Sequence, residues 1–312
     1  MPLTDTILMI RPARFCYNAE TAGTNFFQQP SPKPAEQLQQ QAVKEFNNMV
    51  SLLESNGITV IVVEDTPQPP KPDAIFPNNW ISTSPDGVVS IFPMQSANRR
   101  TEKRSDIVAL LDRLFFISAV EDWSDYEKEE KFLEGTGSMV IDHQHKIIYA
   151  CLSPRTDPKV LEKFAEAHSY RAISFQAQDE KGNDVYHTNV LLCLGEGFAV
   201  LCPKAITDHD ERVAVAQLLE ATGHDNIYLS FDQMHAFAGN MLQLQNSEGR
   251  RFILMSQSAF HALEEEKRER LQQYGELLPV DVSLIEQVAG GSVRCMMAEI
   301  FLEKRKAFPF EA

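Results

Sequence analysis

The chain has 312 residues, of which 43% are hydrophobic and 23% charged, a composition that excludes a disordered or collagen-like chain and allows two domains or one large α/β unit. Its 29 basic residues against 44 acidic ones leave a formal charge of −15, which repels polyphosphate from most of the surface and argues against a nucleic-acid partner.

From the N-terminus, TILMI (6–10) reads as a strand whose apolar stretch stops at Arg11, too short for the core of a signal peptide. No run in the chain reaches the roughly 18 apolar residues of a membrane span, so no membrane partner is expected. The segment 11–28, RPARFCYNAETAGTNFFQ, is polar and aromatic without a regular period; it reads as a lid over a small substrate, with Asn18 or Asn25 as its contacts. Helical periodicity covers 35–56 and ends at Gly57 in the C′ position. Then come strand 58–64, a Pro-rich rigid loop 66–77 leading into a polar cluster, strand 88–92 and helix 104–116. Strands follow at 139–142 and 146–150, helix at 157–167, strands at 190–195 and 198–203, helix at 209–222 closed by Gly223, strands at 241–245 and 251–256, and helices at 258–273 and 282–289. The alternation gives an α/β protein. Three of the strand pairs are separated by only a few residues, which predicts hairpins and a mixed sheet rather than a Rossmann fold. Neither G-x-G-x-x-G nor a P-loop occurs, so no nucleotide cofactor is expected.

Asp73, Glu134, His187, Asn240 and Cys295 are spaced by 61, 53, 53 and 55 residues, each at a polar turn beside a hairpin. Near-equal units of this kind suggest a pseudo-symmetric ring with its polar ends gathered at the axis.

The five cysteines, at 16, 151, 193, 202 and 295, contain no C-x-x-C pair, which argues against a disulfide framework or a zinc knuckle and for a reduced, cytoplasmic setting. Cys151, Cys193 and Cys202 lie inside apolar strands. Cys295, in AGGSVRCMMAE, follows a double glycine and Arg294, a tight turn where backbone N–H groups can stabilise a thiolate nucleophile. His187 stands at the mouth of a strand, where a base gains rigid support. Glu134, followed by Gly135 and Gly137, can turn inward to orient an imidazole. The remaining histidines are scattered; His143 and His145 across a hairpin turn are the only pair at short spacing, and no metal site is expected.

The segments GGSVRCM (290–296), His187-Thr188-Asn189, EGTGS (134–138) and PDAIFPNNW (72–80) together resemble the guanidine-modifying, or pentein, superfamily, and within it the arginine-deiminase-related branch that includes citrulline-utilisation hydrolases. The resemblance spans nearly the whole chain. It implies a single domain, 1–312, folded as a five-bladed β/α propeller with pseudo-fivefold symmetry. It also implies Cys295 as nucleophile, His187 as general acid/base and Glu134 as its orienting partner, without a cofactor.

The departures from that pattern carry the substrate argument. Members that act on cationic guanidinium groups usually have carboxylates where this chain has Asn79 and Asn189, and often another at Asn78. A carboxylate only accepts hydrogen bonds, whereas an amide also donates. The pocket is therefore expected to prefer the neutral ureido group of citrulline, with Asp73 still able to hold an NH₂. Arg99 and Arg100, in PMQSANRRTE, resemble an S-R-R-K-E stretch that anchors the substrate carboxylate in dimethylarginine hydrolases. The expected reaction converts citrulline to ornithine, ammonia and carbon dioxide through an S-linked intermediate. Arginine deiminase or dimethylarginine hydrolase activity, amidino transfer to an amine, and a non-catalytic amino-acid-binding protein are the alternatives. The only partner expected is the small amino-acid substrate, and homo-oligomerisation is left open.

Overall fold

The computed structural model describes residues 3–305; residues 1–2 and 306–312, at the ends of the expected 1–312 unit, lie outside the described residues. Strands β1 (Thr6–Arg11) and β2 (Thr59–Glu64) belong to a first sheet. The second holds β3 (Ile81–Thr83), β4 (Val88–Ile91) and β5 (Ala119–Asp122), and the third β6 (Val140–Asp142), β7 (Ile147–Leu152) and β8 (Arg171–Gln176). The fourth holds β9 (Leu192–Gly195), β10 (Phe198–Leu201) and β11 (Asp225–Tyr228), and the fifth β12 (Leu242–Gln245), β13 (Arg251–Ser256) and β14 (Glu276–Val280). Strand β15 (Ala298–Glu299) returns from the C-terminal side to pair with β1, so the first sheet is built from both ends of the described chain.

All five three-stranded sheets share one topology. The middle strand runs antiparallel to the inner strand and parallel to the outer one. A helix bridges each parallel pair, as that connection requires: Ala35–Ser55, Ser105–Leu114, Pro158–Ala167, His209–Ala221, and the pair Gln257–Ala262 and Glu265–Gln272. The single helix expected at 258–273 is thus two, interrupted at Leu263 and Glu264. The hairpins and the mixed sheets stand as expected.

Alternation along the middle strands explains how the sheets pack. In β1, Ile7 and Met9 join Leu244, Phe252 and Leu254 of the fifth sheet, while Leu8 and Ile10 join Ile81 and Val89 of the second. In β7, Ile148 and Ala150 meet Phe92 on one side, and Tyr149 and Cys151 meet the fourth sheet's Leu192 and Val200 on the other. In β13, Ile253 and Met255 face the fourth sheet and Phe252 and Leu254 the first. Side chains alternate with period two, so a strand apolar at every position buries both faces, each such residue contributing about 1.5–3 kcal/mol. The packing passes from sheet to sheet and returns to the first, a five-fold arrangement. A pocket, the axial channel, is lined by residues of all five inner strands, among them Thr83, Val140, Leu192, Leu242 and Ala298.

Before each inner strand the chain makes a tight polar turn: Pro77–Asn79, Gly135–Ser138, Thr188–Leu191, the turn ending at Asn240, and that containing Cys295. The near-equal spacing seen in the sequence is the length of one ββαβ unit.

Candidate active site

Cys295 lies on the turn before β15, held by hydrogen bonds from its own N–H to the Ser292 carbonyl (3.0 Å) and from Met296 N–H to the Val293 carbonyl (3.2 Å). The thiol is buried, and its Sγ has two amide neighbours, Nδ2 of Asn240 at 3.4 Å and Nδ2 of Asn189 at 3.6 Å. His187 has an extended backbone and leads into Thr188–Leu191, which orients its ring toward the axis. Its Nε2 meets Glu134 Oε2 at 2.9 Å, leaving Nδ1 as the free ring nitrogen. Glu134 is fully buried, and its other oxygen accepts from Gln95 N–H at 3.0 Å.

The two glycines after Glu134 are needed for different reasons. Gly135 has φ +48°, and a Cβ there would come within 2.3 Å of the Asn78 carbonyl oxygen. Gly137 leaves room for two side chains, since a Cβ there would lie 2.5 Å from Asn79 Nδ2 and 2.7 Å from His187 Nδ1. The same distances show that this amide and this imidazole nitrogen converge on one place.

Burial opposes ionisation of Glu134, but the Arg155 guanidinium (3.6 Å), the hydrogen bond with His187 and the Arg99 guanidinium (3.8 Å) outweigh it and hold the carboxyl at about 2. Burial dominates at His187 and pushes its pKa down to about 4 despite the Glu134 carboxylate. At neutral pH the pair is therefore a carboxylate accepting from Nε2–H, with an unprotonated Nδ1 available as base.

Cys295, His187, Asp73, Asn79, Arg99, Asn25, Arg155 and Tyr186 line one small cavity. Asp73 Oδ2 accepts from Asn18 Nδ2 at 2.7 Å, while Oδ1 has no hydrogen-bond partner among the described residues. Burial pushes this carboxyl above its ordinary range against the pull of Arg99. Arg99 is engaged on every side. It forms a bidentate pair with Glu102, both contacts 2.9 Å, and Nη1 donates to Asn79 Oδ1 at 2.9 Å. Because a guanidinium can only donate, Asn79 must turn its oxygen to Arg99 and its NH₂ to Asn78 Oδ1 and the imidazole side.

Three residues expected in the pocket occupy other places. Arg100 is partly exposed, donates to the Met94 and Gln95 carbonyls and sits near Glu127, outside the cavity, so of the arginine pair only Arg99 reaches it. Asn78 lies behind Asn79, with its Nδ2 on Thr136 Oγ1. Asn189 lies under the Cys295 sulfur and lines the axial channel rather than the cavity.

The 11–28 segment covers the cavity as a pinned strap. Asn18 holds Asp73 and exchanges hydrogen bonds with Asn98, Asn25 donates to the carbonyls of Ala289 and Gly290 (3.3 and 3.2 Å), and Gln29 N–H donates to Gln287 O (2.7 Å). Arg155 ties the strap to the catalytic side: it donates to Thr24 Oγ1 and the Thr21 carbonyl, and its guanidinium lies over the Tyr186 ring. Tyr186 in turn donates its hydroxyl to the Gly290 carbonyl. Arg155 and Tyr186 carry no local sequence signal. Asn240 carries one, its place as the fourth of the five evenly spaced positions.

Among the described residues no group of three or more His, Cys, Asp or Glu side chains is placed to hold a metal, and no helix is long and apolar enough to cross a membrane. His143 and His145 take separate partners, Tyr170 and Asp142.

No curated protein sequence matches the chain significantly. Solved structures do match. An arginine dihydrolase from the ornithine–ammonia cycle in cyanobacteria superposes with TM-score 0.74 at 16% identity over 97% of this chain, which spans 41% of that longer chain. The N-terminal domain of such a dihydrolase, a cysteine-to-serine variant bound to substrate, matches with TM-score 0.74 at 17% identity, covering 96% of this chain and 98% of that one. A dimethylarginine dimethylaminohydrolase carrying an S-methyl-L-thiocitrulline adduct matches with TM-score 0.64 at 13% identity, covering 96% and 100%. At these identities the likeness establishes a shared fold. The family model described as "N,N dimethylarginine dimethylhydrolase, eukaryotic" matches residues 11–302, nearly the whole chain, and the chain belongs to that family.

Proposed function

We propose that this chain is a cofactor-independent cysteine hydrolase of a ureido or guanidino amino acid, with citrulline as its preferred substrate, built as a five-bladed β/α propeller. The cleavage of a non-peptide carbon–nitrogen bond rests on the family and on the gathering of Cys295, His187 and Glu134 at one cavity. The preference for citrulline rests on one observation: Arg99 takes the oxygen of Asn79, so the amide offers the site donors only. A ureido oxygen accepts hydrogen bonds; a guanidinium has none to accept.

In the reaction, His187 Nδ1 takes the thiol proton, and the sulfur attacks the ureido carbon. The developing oxyanion is met by the Asn79 NH₂. His187 then passes its proton to the departing δ-nitrogen, and the C–N bond breaks to release ornithine and leave S-carbamoyl-Cys295. Water, deprotonated by His187, attacks the same carbon. The C–S bond breaks, the thiolate returns, and the carbamic acid decomposes to ammonia and carbon dioxide. Ionised Glu134 keeps Nε2 protonated through both steps. Arg155, whose hydrogen bonds go to the Thr24 hydroxyl and the Thr21 carbonyl and whose Nη1 stays 3.6 Å from Glu134, is less fully engaged than Arg99, which suits it to the substrate carboxylate.

A second reading, hydrolysis of arginine or a methylated arginine, is favoured by the unpartnered Asp73 Oδ1 in the cavity and by the arginine dihydrolase and dimethylarginine dimethylaminohydrolase among the similar structures. Parallel incubation with citrulline, arginine and dimethylarginine, following ornithine and citrulline by chromatography, separates the readings. Ornithine from citrulline is expected, and its absence sinks the preference. A Cys295→Ala variant is expected to lose turnover and keep binding.

A further inference from the structure

We infer that Asn240, to which no comparison assigns a part, is a catalytic residue for the proposed reaction: its amide donates to the Cys295 sulfur and stabilises the thiolate. The inference rests on Cys295 as nucleophile but not on the identity of the substrate.

The orientation of this amide is dictated from both sides. Asn240 Oδ1 accepts the backbone N–H of Arg294 at 3.0 Å, which fixes the oxygen on the cysteine turn. Nδ2 donates to the Asn189 carbonyl at 2.8 Å, which fixes the nitrogen on the histidine turn. An amide flipped about its axis would face N–H with NH₂ and carbonyl with oxygen, losing both bonds. With one Nδ2 hydrogen on Asn189, the other is left for Sγ, 3.4 Å away. The residue is completely buried, so no water competes for that donor. Asn189 Nδ2, at 3.6 Å, supplies a second.

A sulfur approached by two neutral N–H groups gains stabilisation when it ionises and loses none of the attraction for a neutral substrate. Asn240 thus bridges the turns of Cys295 and His187 and gives the sulfur a donor whose place both turns determine.

The other titratable or charged groups facing Cys295 are His187, Asp73, Arg99, Arg155 and Tyr186 around the cavity, with Arg294 next in sequence and paired with Glu299 at 2.7 Å. Asn240→Ala and Asn240→Asp leave all of these in place. The pH dependence of iodoacetamide alkylation of Cys295 is the readout, with the other four cysteines changed to serine or alanine in every protein compared. Loss of a donor to a charged acceptor is expected to raise the alkylation midpoint by roughly one pH unit in Asn240→Ala, and by more in Asn240→Asp, which puts a carboxylate oxygen where the donor was. At neutral pH kcat/KM should fall about tenfold or more, mostly in kcat. An unchanged midpoint in folded variants overturns the inference. A measurement that needs no Asn240 variant is the side-chain ¹⁵N–¹H resonance of Asn240, which should titrate with the alkylation midpoint and cease to titrate in Cys295→Ser; a resonance indifferent to pH also overturns it. If citrulline is not turned over but the midpoint moves, the substrate reading fails and the role of Asn240 stands.

Discussion

On the proposed function, replacing Asn79 by Asp should turn the preference from citrulline toward arginine, because it changes the sign of one hydrogen-bonding group at the candidate site; the 3.0 Å bond that Asn79 Nδ2 donates to Asn78 Oδ1 is lost with it. The side chains are isosteric, and the 2.9 Å bond from Arg99 Nη1 is kept with the acceptor now charged. The NH₂ beside His187 Nδ1 becomes a carboxylate oxygen. A full charge about 4 Å from a bound guanidinium interacts by about 4 kcal/mol at an effective dielectric of about 20. Arg99 already neutralises part of it, and desolvation takes another share, leaving the roughly 1.5–3 kcal/mol typical of hydrogen bonds to charged groups. That corresponds to about 10- to 150-fold in favour of arginine. For citrulline the variant loses a donor to the developing oxyanion, a loss of about 100-fold in kcat. The ratio of kcat/KM for the two substrates should therefore swing by about three to four orders of magnitude. Coupled ammonia release gives the rates, and chromatography of ornithine and citrulline identifies the bond broken. The new carboxylate should also raise the pKa of His187 from about 4, moving the acidic limb of the profile upward. A folded variant whose substrate ratio stays within about threefold of the parent would refute the role given to the Asn79 amide.

Gly137→Ala should inactivate the enzyme, because the added Cβ meets Asn79 Nδ2 at 2.5 Å and His187 Nδ1 at 2.7 Å; steady-state kinetics beside a thermal melt should show activity lost for about 1–3 kcal/mol of stability. Asn25→Ala removes the strap's hydrogen bonds to Ala289 and Gly290, and is expected to raise KM several-fold, by about 1 kcal/mol, with kcat nearly kept. Acid should weaken the fold in two stages. Folded His187 protonates near 4 against an ordinary 6.5, so its contribution is complete above 6.5 and drains away as the pH falls toward 4. Folded Glu134 protonates near 2 against an ordinary 4.5, so its share is complete above 4.5 and drains away toward 2. Denaturation midpoints across this range should fall more steeply in the parent than in a Glu134→Gln, His187→Gln double variant, and equal slopes would contradict the assignment.

What the sequence shows of this fold follows burial. The middle strands, with both faces covered, read as unbroken apolar runs, and β1, β4, β7, β10 and β13 were all expected close to where they lie. The outer strands escape notice, apart from β2. Strand β5 is AVED with three of four residues exposed, β8 is RAISFQ with one buried, and β14 carries Pro279, tolerated because the strand is an edge. An edge strand paired on one side and wetted on the other needs no apolar run, so periodicity cannot find it. Strand β15 is only two residues long, and β3, Ile-Ser-Thr, offers one apolar residue, whereas the equally short β6 is legible from Met139-Val140-Ile141.

The same reasoning applies to the site. The residues proposed to react are visible by type: a cysteine after two glycines, a histidine at a strand mouth, a glutamate before Gly-x-Gly. Residues that hold them are ordinary, and their importance arises from what distant turns bring to them. Arg155 leans on Glu134 only because the loop before the helix Pro158–Ala167 passes behind the polar turn of its own unit. Adjacency in sequence pairs Arg100 with Arg99, yet neighbours in a 3₁₀ turn point about 120° apart, so only one of them can face the cavity. Asn189 was read as a substrate contact from the pattern H-x-N, and the short helix Thr188–Leu191 sets it beneath the sulfur instead. There its amide nitrogen lies 3.6 Å from Sγ of Cys295, the proposed nucleophile. An exchange of carboxylate for amide at this position changes what the thiolate feels as well as what the substrate feels, because a carboxylate within 4 Å of the sulfur would resist its ionisation where the amide assists it.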